Sequence, residues 1–66
     1  MKCIKVNYEI VSLENVKKVY VVGSSKNNCV LRVDYFKNED VFIHCEDRDH
    51  LVKVLDEIFK IISENP

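Results

Sequence analysis

The sequence predicts an α+β fold: a small antiparallel β-meander of three to four strands with one C-terminal amphipathic helix packed on one face. Two observations carry that prediction. Placed at 100° per residue, Asp47 to Asn65 puts Leu51, Val52, Val54, Leu55, Ile58, Phe59, Ile61 and Ile62 on one side. His50, Lys53, Asp56, Glu57, Lys60, Ser63 and Glu64 take the other. The chain before this helix alternates apolar and polar residues, with short polar breaks that join successive strands as antiparallel neighbours.

The first strand is expected over Lys2 to Val11, where Ile4, Val6, Tyr8 and Ile10 alternate with Lys5, Asn7 and Glu9. Leu13-Glu14-Asn15 interrupts it, and Asn15 suits a turn. The second strand, Val16 to Val22, is rich in β-branched residues and includes Tyr20. Gly23 to Asn28 holds the only glycine among polar residues and reads as a loop. The third strand, Cys29 to Phe36, sets Cys29, Leu31, Val33 and Tyr35 against Val30, Arg32, Asp34 and Phe36. In the turn Lys37-Asn38-Glu39-Asp40, Asn38 takes positive φ most cheaply. The fourth strand, Val41 to Glu46, sets Val41, Ile43 and Cys45 against Phe42, His44 and Glu46. Asp47 or Asp49 caps the helix, where acids oppose its positive end.

Length and composition bound the rest. Sixty-six residues allow one domain, 1–66, with a thin core. A core this small yields only about 3–5 kcal/mol unless a disulfide, a metal or a second copy reinforces it. Net charge is −1, which gives no global attraction to nucleic acid or anionic membrane. Met1-Lys2-Cys3-Ile4-Lys5 does not open into the apolar run of a secretory signal. The longest apolar run, Val19 to Val22, is far short of a membrane span. The expected location is the cytoplasm, with no membrane partner. Cys3, Cys29 and Cys45 are odd in number and widely spaced, as reduced, buried thiols are.

One helix shelters one sheet face. With Leu31, Val33, Val41, Ile43 and the three cysteines beneath it, the other face displays Val22, Val30, Tyr20, Phe36 and Phe42. Lys18, Arg32, Asp34 and His44 stand among them. A solvated sheet face is mainly polar, and three aromatic rings together approach the size of a contact patch. The plain explanation is that Lys and Arg stems cover the rings. The sharper one makes Lys18, Tyr20, Arg32, Phe36, Phe42 and His44 a partner-binding surface. The expected partner is a second copy of the chain, packed face to face or edge to edge into a homodimer. The alternative is a single-stranded nucleic-acid platform with bases stacked on the rings and cations on phosphates. Balanced charge counts against it.

Other chemistry finds little material. His44 and Cys45 are strand neighbours and point to opposite faces, so they form no nucleophile–base pair. His50 opens the helix, within possible reach of Cys29 or Cys45. The three cysteines with a histidine give a second alternative, a small structural metal-binding domain, although zinc usually takes closely spaced ligand pairs. Glu46, Asp47 and Asp49 are explained by capping, Glu39 and Asp40 by the turn, and Gly23 to Asn28 by a plain hairpin rather than a phosphate cradle. No catalytic residue, metal ligand or cofactor is assigned, and the chain is read as non-enzymatic.

Ser12-Leu13-Glu14-Asn15-Val16, a basic strand, a hairpin and Cys45-Glu46-Asp47 before the helix resemble small uncharacterised phage and mobile-element proteins of low-GC bacteria. Strand followed by terminal helix is also similar to the closing half of pleckstrin-homology-like domains, although the chain is too short for that barrel. The phage resemblance implies a small binder or inhibitor acting on a host or phage protein. It assigns no residue a role.

Overall fold

The computed structural model describes Lys2–Glu64. Its elements in order are β1 (Cys3–Val6), β2 (Glu9–Ser12), β3 (Val16–Ser25), β4 (Asn28–Tyr35), β5 (Asp40–Cys45) and α1 (Arg48–Ser63). All strand pairings are antiparallel, in a two-stranded sheet β1-β2 and a three-stranded sheet β3-β4-β5. The α+β class, the antiparallel pairing and the C-terminal helix are as the sequence predicts. The strands number five, because the expected first strand is a hairpin.

That hairpin is the main departure. Asn7 and Tyr8 both take positive φ (51° and 67°), the turn that joins two closely paired strands. The reversal sets Ile4 opposite Val11 and Lys5 opposite Ile10. Ile4, Val6, Val11 and Leu13 are therefore buried, while Tyr8 is 98% exposed and Ile10 points outward. Tyr8 and Ile10 do not share the buried face that simple alternation gives them.

The three-stranded sheet follows the predicted strands with shifted ends. β3 continues through Gly23 to Ser25, so the expected six-residue loop contracts to Lys26-Asn27. Gly23 lies against Asn28: a Cβ there would sit 3.0 Å from the Asn28 carbonyl oxygen. Asn15 and Asn38 take positive φ at the other two turns. Asp47 caps α1, accepting the His50 N–H on Oδ1 at 2.8 Å. His50 Nδ1 in turn accepts the Glu46 N–H at 3.0 Å, a reciprocal cap that holds the imidazole at the helix start. Asn65 lies outside the described residues.

A second layer covers one face of the three-stranded sheet. Leu31, Val33, Ile43 and Cys29 meet Leu51, Val54 and Ile58 from the helix and Ile4, Val6, Val11 and Leu13 from the hairpin region in one core. The helix touches β1 on one side and borders β3 on the other. Two bonds seat the hairpin beside it. Tyr35 donates its hydroxyl to the Ser12 carbonyl, and Asn7 donates its side-chain amide to the His44 carbonyl. Cys3 belongs to this second layer, half-buried, rather than to the sheet beneath the helix.

Tyrosine in the left-handed region costs about 1 kcal/mol relative to glycine, and fully exposed Tyr8 packs on nothing that offsets it. Tyr8→Gly is expected to raise stability by about 0.5–1 kcal/mol, read as a higher urea midpoint at unchanged slope. A lower midpoint would show that the ring contributes within the folded chain.

Candidate functional site

The sheet face turned away from the helix brings most of the predicted surface residues into register. Tyr20, Arg32 and Phe42 lie side by side across β3, β4 and β5. Lys18, Asp34 and Asp40 form the next row, and His44 stands opposite Val30 in the row beyond. Phe36 follows β4 at the far end and is 68% exposed.

The central row is a stack. The Arg32 guanidinium carbon lies 5.9 Å from the Tyr20 ring centre and 5.6 Å from that of Phe42. Lys18 Nζ sits 5.0 Å from the Tyr20 ring centre. Arg32 Nε donates to Asp34 Oδ1 at 2.7 Å, and its Nη2 reaches Asp40 Oδ2 at 3.0 Å. The hydrogen bond that Arg32 donates to Asp34 leads the influences that push its pKa above the ordinary value. Its charge is thus spent on two carboxylates within the sheet, with a ring on either side. Val30, expected on display, is buried instead, because the central strand flanks it with neighbours on both sides.

The uncovered apolar surface that alternation alone does not reveal lies elsewhere. Phe59 is 72% exposed, and Val52 and Ile62 are also open. On the helical wheel these three flank the buried stripe of Leu51, Val54 and Ile58. They rise beside the free edge of β3, where Val16 and Val19 with Leu55, Phe59 and Ile62 line a groove of about 250 Å³. Val21 and Val22 are exposed on the same edge strand. The wheel contains all three helix residues, but only the lateral position of the helix shows that this flank is left out.

Thiols and carboxylates make no further site. Among the described residues no three His, Cys, Asp or Glu side chains converge as metal ligands. Cys29 and Cys45 adjoin, whereas Cys3 sits in the hairpin layer. Burial, then the neighbouring Cys29 and Asp47, pushes the Cys45 thiol up, which lowers the fraction present as thiolate. No described helix is long and apolar enough to cross a membrane.

A cleft of about 460 Å³ separates β2 from β5, with Tyr35, Ile10, Val41, Glu9 and Lys37 among its walls. Burial, then Glu39, raises the Tyr35 pKa above 10.0. The folded chain therefore favours the neutral phenol. This contribution is complete below the unfolded value and is lost as pH rises through the folded one. Between about pH 9 and about pH 11, Tyr35→Phe is expected to lose less stability to urea than the unsubstituted chain. Equal losses would show that ionisation of Tyr35 does not matter to the seating of the hairpin.

No protein family, curated protein or solved structure matches the chain.

Proposed function

We propose that the protein is a non-enzymatic interaction module that self-associates as a dimer through the free β3 edge and the adjoining flank of α1. The observation that carries this reading is Phe59, open beside a groove already lined by apolar side chains.

A second copy suits this surface because the surface is self-complementary. α1 runs antiparallel to β3. Arg48 near its start donates to the Ser24 carbonyl at 3.1 Å, while Phe59 and Ile62 near its end border Val16 and Lys17. A two-fold axis normal to the sheet, passing near Leu55, would pair two β3 edges antiparallel. It would set Val52 of each copy against the Phe59 position of the other, since those residues lie symmetrically about the axis.

The area is sufficient. The exposed parts of Val21, Val52, Phe59 and Ile62 amount to roughly 350 Å² per copy. Backbone from the joined edges brings two copies to the region of ~1,000 Å² at which specific interfaces begin. Register shifts at Val16/Lys18 and Val21/Gly23 confine regular pairing to Lys18–Val21. Those bulges and two lysines favour a short, closed contact over open-ended strand addition.

The aromatic face is a second contact surface, favoured by the exposure of Phe36 and Phe42. There Lys18, Tyr20, Arg32, Phe36, Phe42 and His44 would meet a protein partner, such as the host or phage protein implied by the shape resemblance. The two carboxylates on Arg32 weigh against phosphate, and so against the nucleic-acid alternative.

Sedimentation of three chains tests the reading. The unsubstituted chain is expected at twice its 7.8 kDa mass. Phe59→Asp should sediment as a monomer with an unchanged helical circular dichroism signal, while Phe42→Asp remains dimeric. If Phe42→Asp dissociates and Phe59→Asp does not, the contact belongs to the aromatic face. A monomeric unsubstituted chain at high concentration removes self-association.

A further inference from the structure

From the register of β4 and β5 we infer that Cys29 and Cys45 are a redox-active cross-strand dithiol, which a hydroperoxide closes to an intramolecular disulfide. The inference stands apart from self-association, because both thiols belong to one copy and lie on the core side of the sheet.

The backbone places them. Cys29 is the direct partner of Cys45, and the ladder runs unbroken from there to Asp34 and Asp40. One step further, the Tyr35 N–H donates to the Glu39 carbonyl at 2.9 Å, which marks that pair as hydrogen-bonded. Hydrogen-bonded pairs recur at every second position, so Cys29 and Cys45, six residues along, form another. Such a pair holds its Cα atoms about 5.5 Å apart, within the roughly 4.4–6.8 Å that a disulfide spans. Both side chains point to the core: Cys29 is part of it and Cys45 packs against it. The sulfurs also sense each other, since Cys29 is among the causes that raise the Cys45 pKa.

The third thiol does not compete. Lys2, beside Cys3, donates Nζ to the Ile62 carbonyl at the C-terminal end of α1. Cys45 lies at the other end, two residues before the Asp47 cap.

Each thiol has a distinct part. Cys45, the more exposed, attacks the peroxide as a thiolate. An S–O bond forms, the O–O bond breaks, and the leaving oxygen takes a proton to become water or an alcohol. The Cys29 sulfur then attacks the Cys45 sulfenic acid. The S–S bond forms, the S–O bond breaks, and hydroxide leaves with the Cys29 proton as water. Two electrons pass from the thiols to the peroxide. Because Cys45 is held in its thiol form, closure quickens towards alkaline pH.

A hydrogen-bonded pair sets Cβ atoms near the wide end of the cross-strand range, about 5.5 Å, whereas a disulfide prefers roughly 3.5–4.5 Å. Closure must therefore draw β4 and β5 together, and Cys29 Sγ must leave the Ser25 carbonyl it now meets at 3.3 Å. A strained bond of this kind is readily reduced, as reversible disulfides are. β5 leads straight into the helix cap, so the movement is transmitted to the start of α1.

The 66-residue chain, treated with hydrogen peroxide and examined by intact mass and peptide mapping, tests this. The expected product is a single chain lighter by two hydrogens, with Cys29 joined to Cys45 and Cys3 free, restored by dithiothreitol. Cys3→Ser should give the same product, and Cys45→Ser should give no intramolecular bond. Oxygen addition without loss of two hydrogens, a bond that involves Cys3, or linkage only between chains would overturn the assignment.

Discussion

The width of one helix relative to the sheet governs this structure. Three strands spaced about 4.8 Å apart, with their side chains, present a broader surface than one helix of about 10 Å diameter can cover. The chain resolves the mismatch by folding Cys3–Ser12 into a second covering element. Hairpin and helix then lie side by side over one sheet, and Leu31 and Val33 of the central strand are completely buried beneath them. The helix lies over the central strand, with the hairpin on one side and the β3 edge on the other, and part of its apolar face stays uncovered.

This placement links the core to the surface. Leu51, Val54 and Ile58 point down into the core, whereas Val52, Phe59 and Ile62 point past it. The reverse face resolves its own apolar content differently. The Arg32 guanidinium sits between the Tyr20 and Phe42 rings, within cation–π distance of both, and is held there by Asp34 and Asp40. Cations cover the centre of the aromatic patch, while Phe36 and the outer part of Phe42 remain open.

The helix was legible because its periodicity is long and its cap explicit: Asp47 precedes the first apolar residue and His50 completes the cap. Asn15 and Asn38 were legible because asparagine tolerates positive φ. The hairpin was concealed because Ile4, Val6, Tyr8 and Ile10 keep period two straight through the turn. Tyrosine at positive φ carries no turn signal. Gly23 misled for a related reason: it marks the close approach of Asn28 inside a strand rather than a loop. Lys18, Tyr20, Arg32 and Phe42 could be grouped because strand alternation fixes which face they share. The open helix flank could not be read that way, since it depends on where a second element sits.

Thermal unfolding at a series of protein concentrations is the sharpest test of pairing through the α1 flank, because a fold whose apolar flank is completed by a second copy gains stability by mass action. The melting temperature should climb steadily with concentration across the micromolar to millimolar range. A melting temperature independent of concentration would mean that the solitary chain, with Phe59 left in water, is already the finished structure.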